Sequence, residues 1–277
     1  MTELLKVENL SVRYSNGHQA LEDINFSLPK ATICALVGAN GSGKSTLFKS
    51  IMGFVPASQG LVSIAGLPVE EAVRQQRIAY VPQTEQVDWD FPVSVNDVVM
   101  MGRYGHMGWL RRPKAADHEA VAVALEKVGM SAFAHRQIGQ LSGGQKKRVF
   151  VARALAQAAE LVLLDEPFTG VDVTSEAQIV ELLRTLRDEG CLIVISTHNL
   201  GAVPDYCDLS IIIRQHLVAF GPTSDVLTAH NLQSAFGGKL RHHVLQHLGG
   251  ESSESVTVFT DDERPLVLYP TGQDQSP

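Results

Sequence analysis

The sequence is short of positive charge: 23 Lys and Arg stand against 30 Asp and Glu, a formal net charge of −7. A general nucleic-acid binder needs a basic face to neutralise phosphates, so the balance argues against that class, and no nucleic acid is expected as a partner. Long apolar runs are missing as well. The longest, around LVLL and CLIVIS, are strand-sized and fall well short of the ~18 residues that read as a membrane span. The opening MTELLKVENL carries acidic residues and no extended apolar stretch, unlike a secretory signal. Cysteine is scarce, odd in number and scattered, at Cys34, Cys191 and Cys207. That argues against a disulfide framework or a zinc site and for buried thiols in a reducing compartment.

What is present has the patterning of an α/β fold. ATICALVG (31–38), RIAYVPQ (77–83), LVLLDEP (161–167) and CLIVIST (191–197) are near-continuous apolar runs, the pattern of strands buried on both faces of a mostly parallel sheet. Between the last two, Ile179, Leu182, Leu183 and Leu186 recur at helical spacing and Gly190 supplies a stop. The N-terminal stretch alternates and carries an Asn16-Gly17 turn, which predicts antiparallel β-structure. From about residue 84 to 141 the strand pattern gives way to helical segments such as HEAVAVALEKVGM, predicting a helical insertion between two core strands. After Gly221 the pattern fades; VTVFT and PLVLYP predict a small hairpin, and TGQDQSP a frayed end.

The chemistry concentrates at the ends of the apolar runs. GANGSGKST, from Gly38 to Thr46, lies between a strand and a helix and fits G-x-x-x-x-G-K-[ST] through Gly38, Gly43, Lys44 and Ser45. Glycines let backbone N–H groups approach a phosphate, and the helix that follows adds its positive end. Lys44 would reach the β- and γ-phosphates, and the Ser45 hydroxyl would bind Mg²⁺. The competing reading is a plain Gly/Ser surface turn. Ligands of open α/β sheets bind beyond the carboxyl ends of the strands. One sheet would therefore bring Lys44, Gln83, Asp165, Glu166 and His198 to one rim, with Asp165 holding Mg²⁺ and Glu166 polarising a water. Taken singly, Asp165 could be a cap, Glu166 a solvated carboxylate, Gln83 a surface amide and His198 a histidine satisfied by a partner. Ser142 opens a second glycine-led helix start that could bind an anion, or could be an ordinary N-cap.

Leu141-Ser142-Gly143-Gly144-Gln145, about twenty residues before LVLLDEP, resembles the signature of the ATP-binding-cassette (ABC) ATPases. The resemblance spans roughly residues 3–230 and implies a P-loop NTPase core with an N-terminal antiparallel β subdomain and an inserted helical subdomain. It implies an ABC ATPase domain over 1–230, helical at about 84–150, and a partly irregular extension over 231–277. ATP and Mg²⁺ are the implied cofactors. Tyr14 matches the aromatic that stacks on adenine; Gly38, Asn40, Gly41, Ser42, Gly43, Lys44, Ser45 and Thr46 match the phosphate loop. Gln83 matches a Mg²⁺ and water contact, Asp165 a Mg²⁺ ligand, Glu166 the catalytic carboxylate, His198 the switch histidine near the γ-phosphate, and Asp172 the D-loop aspartate. Thr169-Gly170-Val171 departs from the usual serine-alanine-leucine of that loop. In the family, two cassettes pair head to tail, so Ser142, Gly143, Gly144 and Gln145 would complete the site of a second copy.

The resemblance extends to bacterial importers of manganese and chelated iron, with zinc importers as the alternative. It implies integral permease subunits, a substrate-binding protein met indirectly, and a peripheral position on the cytoplasmic face of the inner membrane. A soluble ABC ATPase of translation or DNA repair would carry two cassettes or a coiled-coil insertion, and this chain has neither. Trp89, Phe91, Trp109, Met100, Met101 and Met107 are candidate apolar anchors for the membrane partner, the methionines equally a local core. His243 and His247 stand at i and i+4 beside His242, a metal-binding spacing on a helix. No carboxylate or cysteine completes the set, and a solvated amphipathic tail is the preferred reading.

Overall fold

The computed structural model of the protein describes residues 3–83, 92–237, 241–246, 255–260 and 265–268. Its strands are β1 (Glu3–Arg13), β2 (Gln19–Pro29), β3 (Thr32–Val37), β4 (Gln59–Ile64), β5 (Leu67–Pro68), β6 (Ile78–Val81), β7 (Leu161–Asp165), β8 (Leu192–Thr197), β9 (Leu209–Arg214), β10 (His216–Pro222), β11 (Arg241–Gln246), β12 (Ser255–Thr260) and β13 (Leu266–Leu268). Its helices are α1 (Lys44–Ile51), α2 (Val69–Arg74), α3 (Val95–Met100), α4 (Ala115–Lys127), α5 (Gly143–Ala156), α6 (Val173–Asp188), α7 (Val203–Tyr206), α8 (Thr223–Val226) and α9 (Ala229–Phe236).

The central sheet runs β10-β9-β3-β8-β7-β6, parallel except for the β9–β10 hairpin. Its middle strands are unbroken apolar runs because both faces are covered. In β3, Ile33, Ala35 and Val37 pack into one core while Cys34 and Leu36 pack into the other, the two-residue period of a strand. The first core is closed by α3 to α6 and α9 through Val99, Leu125, Phe150, Leu183 and Leu232. The second is closed by α1 and a four-stranded antiparallel sheet, β2-β1-β4-β5, through Phe48, Leu5, Leu28 and Ile64. Sequence patterning anticipated β1 and β2 in that sheet but not β4, which returns after α1 to pair antiparallel with β1.

The helical insertion lies between β6 and β7 and is organised by α5, against which α3 and α4 pack. Met100 and Met107 are buried in its core, as the local-core reading expects, whereas Met101 is exposed. Trp109 is 96% exposed; Trp89 and Phe91 lie outside the described residues. The expected boundary at residue 230 falls inside α9, whose Leu232, Ala235 and Phe236 belong to the first core. The expected C-terminal hairpin is present as β12–β13. The helical spacing of His243 and His247 is not realised. His242 and His243 lie on β11, which pairs antiparallel with the Val- and Thr-rich β12, and His247 lies outside the described residues. The pairing is long-range, so a four-residue interval could not reveal it. Cys34 and Cys207 are buried and Cys191 is largely so; burial pushes all three thiols up, Cys191 to about 12.

Candidate functional site

Parallel register aligns the carboxyl ends of four strands. Val37 of β3 sits beside Thr197 of β8, Ser196 beside Asp165 of β7, and Leu164 beside Val81 of β6. The residues that follow each strand therefore gather on one rim. They line a cavity of about 990 Å³ that takes in Tyr14, the whole 38–46 loop, Gln83, Glu166 and His198.

The loop is held tightly enough to need its glycines. Gly43 caps α1 with φ 103°, and a Cβ there would stand 2.5 Å from Leu21 Cδ2 and 2.8 Å from the Ala20 carbonyl oxygen. A Cβ on Gly38 would meet the Ile213 carbonyl oxygen at 2.4 Å. Lys44 is buried, and its ammonium donates to the carbonyls of Gly38 at 2.5 Å and Ala39 at 3.4 Å. Burial lowers its pKa, while Glu166 and Asp165 pull it back up. Ser45 is exposed, whereas the Ser42 hydroxyl is buried and without a hydrogen-bond partner among the described residues. The Tyr14 hydroxyl meets the Thr46 hydroxyl at 3.1 Å.

The two adjacent carboxylates occupy different surroundings. Asp165 is buried behind the rim, accepting from the Ser196 hydroxyl and, at 3.3 Å, from the Tyr80 hydroxyl, and it does not line the cavity. Burial, and then the Asp165 charge, drive the Tyr80 phenol upward and keep it a donor. Glu166 turns into the cavity with a left-handed backbone, φ 49°. Its carboxylate accepts from Gln83 Nε2 and, at 3.3 Å, from Thr169 Oγ1, and it stands 3.3 Å from His198 Nδ1. The rim and the residues behind it offer loop amides and an ammonium for polyphosphate oxygens, and a hydroxyl and carboxylates for a hard cation.

Ser142, Gly143, Gly144 and Gln145 are not among the cavity walls. Ser142 and Gln145 form a reciprocal capping box on α5: the Ser142 hydroxyl accepts from the Gln145 amide at 3.3 Å, and Gln145 Oε1 accepts from the Ser142 amide at 3.0 Å. The N-cap reading is thus realised. Gly144 faces Ser175 and Asp172, and Asp172 itself caps α6 by accepting from the Ser175 amide at 3.0 Å. His18, Ala20, Thr169 and Phe236 also line the cavity and were missed in the sequence, as were Ser196 and Tyr80 behind it. Ser196 had a signal, a hydroxyl next to last in a buried strand; Phe236 had none.

The sequence profile of the ABC transporter family matches residues 21–169. A chelated iron transport system membrane protein of Yersinia pestis is 57% identical over 281 residues, covering 98% of this chain and 95% of its own. A manganese transport system ATP-binding protein of Synechocystis is 55% identical, covering 84% of this chain and 90% of its own. Among solved structures, a chain of a metal-chelate type ABC transporter in an inward-facing conformation superposes with a TM-score of 0.78 at 30% identity, covering 98% of this chain and 99% of its own.

Proposed function

The chain belongs to the ATP-binding-cassette transporter family, whose cassettes hydrolyse ATP, and on that premise we propose that it powers uptake of manganese or chelated iron. ATPase subunits of this family work with membrane permease components, and among the described residues no helix is long and apolar enough to cross a membrane. The observation that carries the proposal is the common rim: the phosphate loop, Gln83, Glu166 and His198 around one cavity, in a chain two of whose most similar relatives over most of its length are manganese and chelated-iron systems, with a zinc system of Treponema pallidum at 43% identity.

In this reading Tyr14 lies against the base, the amides of Gly38 to Thr46 take the phosphate oxygens, and Lys44 reaches the terminal phosphates. The buried Ser42 hydroxyl, without a hydrogen-bond partner among the described residues, fits a loop built around a bound anion. Of the three residues expected to hold Mg²⁺, Ser45 and Gln83 line the cavity and would contact it, whereas Asp165 stands behind the rim; the ion when bound supplies charge neutralisation on the phosphates. Glu166 orients and polarises the attacking water, and His198 steadies its carboxylate. Positioning and charge do most of this work.

Ser142, Gly143, Gly144 and Gln145 do not line their own chain's cavity, which supports a role in a partner's site: two copies head to tail, each helix start closing on the other's phosphates. The assembly would sit at the cytoplasmic face of the plasma membrane, meeting a substrate-binding protein only through the permease. The test is uptake of radiolabelled manganese, iron and zinc by a strain lacking this chain. Restoration by the wild type but not by Lys44→Ala supports the proposal. Uptake that is normal without the chain, or restored only for zinc, overturns the metal assignment.

A further inference from the structure

One hydrogen bond ties α5 to the cavity rim. Lys147, half-buried in the second turn of α5, donates its ammonium to the Gln83 main-chain carbonyl at 2.9 Å. The side chain of that same glutamine donates to Glu166 Oε2. A continuous line of polar contacts therefore runs from α5 through Gln83 to Glu166, and on to His198 at 3.3 Å. Gln83 is the joint, its carbonyl held by the helix and its amide by the carboxylate. The β6–β7 ladder does not reach it, because the last pair is Val81 with Leu164. The next residue of α5, Arg148, turns elsewhere, to the Val128 carbonyl and the Gln178 side chain.

The geometry points to Lys147 as a positioning residue for ATP hydrolysis: by holding the Gln83 carbonyl it fixes the Gln83 amide against Glu166, so that the carboxylate is oriented only while α5 keeps its seat on the rim. This rests on Glu166 being the residue that orients the attacking water. The position of the 142–145 helix start would then be communicated to the neighbouring chemistry through two hydrogen bonds. A contact alone does not demonstrate coupling; non-additivity does.

The experiment is a double-mutant cycle on the full-length chain, measuring steady-state ATP hydrolysis and, separately, equilibrium ATP binding for Lys147→Met, Gln83→Ala and the pair. Lys147→Met keeps the aliphatic stem and removes the donor; Lys147→Leu, equally without a donor, serves the same purpose if the methionine variant folds poorly. The expected loss is in kcat, about tenfold, or ~1.4 kcal/mol, with KM and ATP affinity within about twofold of wild type. Lys147→Arg recovers most of the rate. In the Gln83→Ala background, Lys147→Met costs nothing further. Multiplicative losses, a rise in KM at unchanged kcat, or no recovery by Lys147→Arg overturn the inference. Glu166→Gln is measured alongside. If it hydrolyses ATP normally, the reading of Glu166 fails and the link has nothing to act on. If it loses turnover while Lys147 and Gln83 act independently, only the role of Lys147 falls.

Discussion

Gly41 and Gly43 offer a controlled perturbation of the phosphate loop. Both have left-handed backbones, φ 83° and 103°, but they differ in their surroundings. A Cβ on Gly41 would meet nothing within 4 Å, whereas one on Gly43 would press into Leu21 Cδ2 at 2.5 Å and the Ala20 carbonyl oxygen at 2.8 Å. Leu21 is fully buried and Ala20 is main chain of β2, so neither can retreat cheaply. The alanine variants share the backbone cost, roughly 1–2 kcal/mol. Gly43→Ala adds an overpacking cost of about 1–3 kcal/mol. A domain stable by roughly 5–15 kcal/mol survives either change. Denaturant titration should therefore find Gly43→Ala less stable than Gly41→Ala by the overpacking cost alone. Because relief requires the loop to shift, fluorescent-nucleotide titration should also find ATP affinity reduced at least about tenfold in Gly43→Ala relative to Gly41→Ala. Equal stabilities and equal affinities would refute the claim that the loop's position is set by its contact with β2.

Glu166→Gln, which keeps the side chain's size and removes its charge, should bind ATP normally and lose turnover by about 10²–10⁴-fold, accumulating as an ATP-bound dimer on size exclusion; a monomer with normal turnover removes Glu166 from the chemistry. Ser142→Arg should be inactive alone, and mixing it with Lys44→Ala chains should restore at most one working site per dimer; normal hydrolysis by Ser142→Arg would mean that the α5 start never meets nucleotide. Asp117 is buried, and hydrogen bonds from the Lys114 amide and Arg103 hold its carboxyl below the usual carboxylate range. A depressed folded-state pKa stabilises the fold above the ordinary carboxylate value, and that contribution fades as pH falls through the depressed one. Asp117→Asn should therefore destabilise at neutral pH, with the difference from wild type shrinking in acid; a pH-independent difference rejects the assignment.

The rim was legible in the sequence because β3, β7 and β8 are buried on both faces and so read as unbroken apolar runs, each announcing its own carboxyl end. Once those ends are known, parallel register does the rest, and Gln83, Glu166 and His198 need no further information to converge. What could not be read depends on distant partners. Phe236 reaches the cavity only because α9 docks on β9 and β10. The stretch that holds His242 and His243 reads as a helix as readily as a strand until β12 pairs with it. At Ser142 the obstacle was different. An N-cap and an anion site use the same helix start, so local sequence cannot separate them; the approach of Gly144 to Asp172 and Ser175 is visible only in three dimensions.

The three thiols have a practical bearing on how this molecule can be watched at work. Burial pushes the Cys191 thiol up to about 12 and raises Cys34 and Cys207 as well, so all three stay protonated at pH 7 and react poorly. To a maleimide dye the natural sequence is therefore nearly dark. A single cysteine introduced at Trp109 or Val173, 96% and 83% exposed, would take the label over a silent background, and the separation of two copies during turnover could be followed by energy transfer without first stripping the native cysteines from the core.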